Sequence, residues 1–198
     1  MALAGLVFTF LITGTAMAQR MYIRCTDERG NELTTNASPF ATNVTDDGRT
    51  VVLKNYMEVT SIQFGTDQTY STGSTGAGVG EIAFGDFSFT TLTNLASTRL
   101  LQVQARGTAL QTVEVIFLAS NQEAKLRVTY KILLGTAGIK NFSASAAGDC
   151  GNGCAGVAES YTLQYGTLQI FTYSQQNDGR VTQNPSPFGW DAIRNRAL

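Results

Sequence analysis

The sequence predicts a mainly β protein: a compact antiparallel barrel or sandwich with one short α-helix. Three features carry that expectation. In residues 124–134, Leu126, Val128, Tyr130, Ile132 and Leu134 alternate with Lys125, Arg127, Thr129 and Lys131. This is the period of a strand with one face buried. Two other apolar runs change phase at a glycine. Ile82 and Phe84 give way to Phe87 and Phe89 across Gly85, and Tyr161, Leu163 and Tyr165 to Leu168 and Ile170 across Gly166. A one-residue slip turns every side chain to the other face, so each glycine predicts a bulge or kink. Long strands bent in this way let small sheets curl into barrels or sandwiches. Only one segment carries helix signals at both ends. Ser97 is the expected N-cap, residues 98–106 the helix and Gly107 its left-handed terminus. Leu100, Leu101, Val103 and Ala105 supply an apolar side. So short a helix needs the sheet to stabilise it.

Composition narrows the function. At 198 residues the chain is long enough for one domain with a real core. Charged residues make up 15%, against about 25% in an average domain, so much of the surface must be Thr, Ser, Gln, Asn and Gly. Such a surface suits stacking against other protein surfaces. A net charge of −1 gives no electrostatic reason to expect nucleic acid. Histidine is absent, which removes the commonest general base and the commonest metal ligand.

In chain order, residues 1–18 (MALAGLVFTFLITGTAMA) are apolar and uncharged apart from the amino terminus. Ala16-Met17-Ala18 has the small-x-small form of a signal-peptidase site, which places cleavage between Ala18 and Gln19. The segment lacks the basic n-region of a signal peptide, and translation from Met17 is the other reading. The expected organisation is a signal peptide, 1–18, and a single domain, 19–198, with no membrane segment once the signal is removed. Residues 21–25 read as a first strand, 26–50 as polar loop and 51–64 as a second strand region. Residues 112–119 and 124–134 are further strands. Residues 143–158 are a small, Gly-rich surface excursion, and a turn at Asn177-Asp178-Gly179 precedes the tail Phe188-Gly189-Trp190-Asp191. The tally is about seven strands and one helix.

The tract TDQTYSTGSTGAGVG, residues 66–80, lies between two strands and has too few apolar groups to pack on its own. Its glycines are not a phosphate cradle, because no Lys stands in the Walker position and no helix begins there. It reads as a long hairpin tip for docking. The expected interface residues are Thr69, Tyr70, Ser71, Gly73, Gly76, Gly78, Val79 and Gly80.

Cys150 and Cys154, in DCGNGCAG, could close a small disulfide if the protein is exported, or remain free thiols. A metal site would need two more soft ligands, and only Cys25 is left, so no metal is expected. Cys25, in the first strand, reads as a small buried hydrophobe. No catalytic set emerges: a serine nucleophile would lack a histidine partner, and no S-x-x-K motif occurs. Glu81 and Asp86 read as solvated or turn-capping acids. The Lys125, Arg127, Lys131 stripe faces either an anionic partner or simply water. No cofactor is expected.

Several blocks together resemble a known family. EIAFGDFSFTTLTNLASTRLLQVQARG, residues 81–107, resembles the phenylalanine-rich strand and Ser-led helix of the Hcp (haemolysin-coregulated protein) family, the tube proteins of the bacterial type VI secretion system. SYTLQYGTLQIFTYSQQNDGRVTQNPSPFGWDAIRNRAL, residues 160–198, is similar to the family's C-terminal block in its S-Y core, D-G turn and G-W-D ending. Gly30-Asn31-Glu32 and Met57-Glu58-Val59 resemble weaker forms of the family's G-E-S and I-E-V motifs. The resemblance spans residues 21–198. It implies a β-barrel with one flanking helix. Six copies would form a ring, and rings would stack head to tail into a tube driven by a contractile sheath. The implied partners are other copies of the chain, sheath and tip proteins, and effectors carried in the lumen. Residues 69–80 would correspond to the family's extended loop. The chain departs from the family in the apolar residues 1–18, the longer 34–50 loop and the Cys150–Cys154 insertion.

Two functions follow from different classes. One is a non-enzymatic ring and tube subunit, secreted or periplasmic if residues 1–18 are a signal peptide, or else assembled in the cytoplasm and secreted by the type VI apparatus. The other is a secreted or periplasmic binding module or effector carrier that uses the same fold outside such a system. An enzyme is a distant third, because acid–base residues are lacking.

Overall fold

The computed structural model describes residues 19–38, 43–70, 79–120, 126–146, 156–176 and 180–198. In order, the elements are β1 (Arg20–Asp27), β2 (Asn43–Asp46), β3 (Arg49–Val52), a 3-10 turn (Leu53–Asn55), β4 (Met57–Val59), β5 (Ser61–Gln63), β6 (Thr66–Tyr70), β7 (Val79–Phe84) and β8 (Phe87–Leu92). Then come α1 (Ser97–Arg106), β9 (Leu110–Ser120), β10 (Leu126–Ser145), β11 (Ala158–Gln164), β12 (Thr167–Gln175), β13 (Val181–Gln183), β14 (Phe188–Asp191) and β15 (Arg196–Ala197). The class is the expected one, mainly antiparallel β with one short helix. The strands are more numerous and shorter than the tally of seven.

The 20-residue β10 organises the sheet. Its first half lies between β9 and β12, and its second half pairs with β11. One wing continues from β9 to β1 and β4, the other from β11 to β8 and β5. The two wings therefore fold toward each other around β10. Thr60 joins β4 to β5, and its N–H donates to Thr90 O at 2.8 Å. Among the described residues the ladders do not close a barrel: β4 pairs with β1 and β5 with β8. The expected barrel or sandwich is realised as this folded sheet. The strand expected over 124–134 runs on to Ser145, because a register shift between Ile139 and Asn141 absorbs the bend without ending it.

The main core fills the fold between the wings. Ile23, Met57, Val59, Phe87, Phe89, Val115, Ile132, Leu134 and Tyr161 are all buried there, and Leu100 and Val103 of α1 join them. Full burial of a Leu or Phe side chain contributes about 1.5–3 kcal/mol, so these few residues supply much of the driving force. Leu101 and Ala105 face solvent, which narrows the apolar side expected of the helix. The cap also sits elsewhere. Asn94 accepts at Oδ1 from the Ala96 N–H at 2.8 Å, and Ser97 Oγ accepts from the Asn94 N–H at 2.9 Å. This reciprocal pair resembles a capping box in the turn that leads into the helix; Ala96 is the cap residue, and Ser97 is the first helical residue instead of the cap. Gly107 is left-handed, φ 63°, and closes the helix as expected.

Residues 26–50 are not simply loop. β2 and β3 form a hairpin around Asp47 and Gly48, both at positive φ. Asp-Gly suits the tight primed turn that matches strand twist. The hairpin and the 3-10 turn cover the outer face of β1 and β9, and β2 meets β10 in parallel at Arg127↔Thr45. Tyr22, Val44, Leu53, Tyr56, Ile116, Leu118 and Val128 form a second core beneath them. β9 is therefore buried on both faces. For the same reason the cationic stripe is not a wet face at Lys131, whose ammonium lies 2.7 Å from a nearly buried Asp46 carboxylate. Lys125 lies outside the described residues.

Candidate assembly interface

β6 and β7 leave the main sheet and pair only with each other among the described residues, in the register Thr66↔Phe84, Asp67↔Ala83, Gln68↔Ile82 and Tyr70↔Val79. Of the expected interface residues, Thr69, Tyr70, Val79 and Gly80 lie on these two strands. Ser71, Gly73, Gly76 and Gly78 lie outside the described residues. Thr66, Asp67 and Gln68 are exposed. A two-stranded hairpin is marginal in water, so what holds its base decides whether it is an arm or a frayed loop.

The base is clamped. Gly85 donates its N–H to Gly65 O at 2.9 Å, and a Cβ at Gly85 would stand 3.2 Å from that oxygen, so a larger residue would crowd this contact. Phe64 stacks on Phe87 with ring centroids 6.0 Å apart, and Phe84 packs on Trp190 at 6.1 Å. The phase change at Gly85 is thus not a bulge within one strand. It is the point where β7 of the arm hands over to β8 of the core. Gly166 acts similarly, separating β11 from β12, and its N–H donates to Gly135 O at 3.0 Å.

The C-terminal block braces the arm. Asp191 Oδ1 accepts from the N–H groups of Ile193 at 3.1 Å and Arg194 at 3.0 Å. These bonds, the Arg194 N–H first, hold the Asp191 carboxyl below its ordinary range. The Trp190 indole N–H donates to Asn195 Oδ1 at 3.2 Å, which orients the ring toward Phe84. The Ala192 N–H donates to Gly166 O at 2.8 Å. The G-W-D ending therefore has a structural meaning that its sequence alone did not convey.

Two groups of exposed apolar side chains stand out. Phe188, Ile193 and Leu198 belong to the C-terminal block, while Leu92, Leu95 and Val157 lie around the end of β8. Ile193 is 75% exposed. On a chain so poor in charge these residues suit burial against protein.

Two of the buried carboxylates, Glu114 and Asp46, serve the second core. Arg24 bridges Glu114 and Glu32, and Glu114 also accepts from the Tyr56 hydroxyl at 3.0 Å. Asp46 takes Lys131 and the Tyr173 hydroxyl, the latter at 2.5 Å. Burial first, then the neighbouring carboxylates, pushes the Tyr56 and Tyr173 phenols up. Cys25 is fully buried and free, and burial pushes its thiol up to about 12, which makes it the inert hydrophobe expected. Cys150, Cys154 and residues 1–18, with Ala18, lie outside the described residues, and Gln19 is exposed ahead of β1. Asp86 pairs with Lys140 at 2.8 Å on the surface. No cluster of three His, Cys, Asp or Glu that could hold a metal occurs among the described residues. Among them, no helix is long and apolar enough to cross a membrane.

Residues 42–172 match a family described as "Type VI secretion system effector, Hcp". No curated protein matches the chain. Among solved structures, one described as "Structure of a type six secretion system protein" is similar with a TM-score of 0.71 and 18% identity, over 91% of this chain and all of that one. An Hcp protein from E. coli is similar with a TM-score of 0.62 and 12% identity, over 84% of this chain and 98% of that one. Another, from Salmonella typhimurium, has a TM-score of 0.58 and 17% identity, over 92% and 100%. These likenesses are of fold.

Proposed function

The chain belongs to the Hcp family of type VI secretion proteins, and from that premise we propose that its copies join through the β6–β7 arm into hexameric rings that stack into a tube. The family is one of structural secretion proteins, not enzymes. The observation that carries the proposal is the arm itself, a separate two-stranded sheet whose base is clamped by Gly65–Gly85 and two aromatic pairs. A rigid projection on one side, and distinct apolar surfaces elsewhere, are what a heterologous contact between identical subunits requires. Sheath and tip proteins would engage the assembled tube, and effectors its lumen. Negative-stain microscopy of the purified protein tests this. Six-fold rings with a central opening are expected, and particles that remain monomeric at every concentration would overturn it.

The apolar run ending Ala16-Met17-Ala18 supports export of the mature chain from Gln19. Intact-mass measurement on protein from its native host is expected to show Gln19 as the first residue. In that exported protein, non-reducing peptide mapping should find Cys150 linked to Cys154. A chain starting at Met1 or Met17 would instead favour cytoplasmic assembly.

A further inference from the structure

The two exposed apolar patches lie at opposite ends of one ladder. The β8–β11 pairing runs from Phe87↔Leu163 to Leu92↔Ala158, about 17 Å of strand. At the Leu92 end, Leu92 and Leu95 line a groove of about 460 Å³. Val157 is exposed beside them, and its carbonyl accepts from the Thr93 N–H at 2.9 Å. Past the Phe87 end the chain reaches Gly166, whose carbonyl holds the Ala192 N–H of the C-terminal block. There Ile193 projects from a turn that Asp191 fixes by accepting from the Ile193 and Arg194 N–H groups. Phe188 and Leu198 are exposed on the same block. Of the exposed large apolar side chains among the described residues, only Leu101 belongs to neither patch.

The two ends also differ in charge. Glu58 is the one charged residue that lines the groove. Behind the groove's Thr93 lies the buried Glu159, which accepts from the Thr93 hydroxyl at 3.1 Å and the Tyr161 hydroxyl at 2.9 Å. Neither acid has an ion pair among the described residues. Acids without a neighbouring cation leave a negative field at that end. The C-terminal block instead sets Arg194 and Arg196 against a single acid, Asp191. The Arg194 side chain is 68% exposed, so most of it is free to meet a partner. Either patch laid against its own copy would bring like charges together. Groove against block brings opposite charges and apolar side chains together.

We propose that the C-terminal block of one copy seats in the groove of the next, with Ile193 against Leu92 and Leu95 and the arginines toward Glu58, and that this contact stacks the rings. The inference rests on the reading above for the rings, but not for the contact itself. A closed ring uses up the surfaces that build it. Stacking needs a second pair of unlike surfaces, and a pair at opposite ends of the subunit repeats without closing. One such contact is small and weak alone. The contacts of a whole ring act together, so the stack is far firmer than any one of them.

Leu95→Asp spoils the groove and Ile193→Asp the block. The two side chains are 62% and 75% exposed, so the fold should hold, and circular dichroism melting checks it. Leu95→Ser and Ile193→Ser replace a variant that melts early. In negative-stain microscopy and sedimentation velocity, each variant alone is expected to form rings that do not stack. Mixed after separate purification, the two should form pairs of rings and nothing longer, because one intact block then meets one intact groove. Arg196→Glu should raise the concentration at which stacks appear by about two-fold or more, the loss of an exposed ion pair. Stacks like the parent's in either Asp variant, or a mixture without ring pairs, would overturn the contact. Absence of rings in the parent would sink the ring reading alone. The same mixture at high concentration then decides the contact: a 1:1 complex seen with neither variant alone upholds it, and no complex overturns it.

Discussion

The Phe84 ring rests against the Trp190 indole, with centroids 6.1 Å apart and planes inclined by 32°. Phe84 is the last residue of the arm's returning strand, and Trp190 lies in β14 near the end of the chain. The contact transmits the order of the core to a hairpin that would otherwise be marginal. Such a pair contributes about 0.5–1.5 kcal/mol beyond the area it buries.

Phe84→Leu keeps the apolar volume but removes the ring pair. Stability should fall by about 1 kcal/mol, and Trp190 emission should shift to the red as the indole gains solvent. Urea unfolding followed by tryptophan fluorescence reads both. Unchanged emission would mean that the indole is held by Asn195 alone.

Lys131 and Asp46 form the second relationship that can be tested. Their side chains are 13% and 9% exposed, so the pair is close to buried. Lys131→Met leaves the Asp46 carboxylate without its cation, at a cost of about 3–5 kcal/mol. Lys131→Met with Asp46→Leu should recover most of that, because no charge is then left behind. Equilibrium denaturation of the two variants decides it. A single variant within about 0.5 kcal/mol of the parent would show that the site is wetter than its packing implies.

Fold class and helix were legible because their signals are local: period-2 alternation, a phase break at glycine and a left-handed Gly107. The β2–β3 hairpin was not, although Asp47-Gly48 is a turn signal. Its strands are four residues each and offer only Val44, Val51 and Val52 as apolar groups. What makes them strands is the outer face of β9 beneath. Glu114 was obscured for the same reason, since an acid between Val113 and Val115 reads as solvent-facing until a second layer covers it. The arm was legible as a tract without packing partners. Its clamp was not, because Phe84 and Trp190 come together only through the tertiary fold.

Acid should weaken the hold of the C-terminal block. Asp191 has its pKa lowered by the Arg194 and Ile193 N–H groups. A depressed carboxylate contributes stability that is fully present above the ordinary aspartate value of about 3.9 and is lost as pH falls through the lower folded value. Thermal unfolding midpoints should therefore drop more steeply with acid in the parent than in Asp191→Asn, which has nothing there to protonate. Parallel pH profiles would remove Asp191 from the account.

The central claim is that the arm joins subunits while the core folds without it. Replacing residues 71–78 by Asn-Gly connects Tyr70 to Val79 through a two-residue turn, in the register that pair already holds. Shortening the connection lowers its closure entropy, so the sheet should form unharmed. Sedimentation velocity of the parent and the shortened chain at matched concentration, with circular dichroism melting as the check on folding, is the most direct measurement. The account predicts that the parent sediments as rings and larger stacks, and that the shortened chain, folded and with an unchanged melting profile, sediments as a monomer. A shortened chain that still forms the same rings and stacks would contradict it.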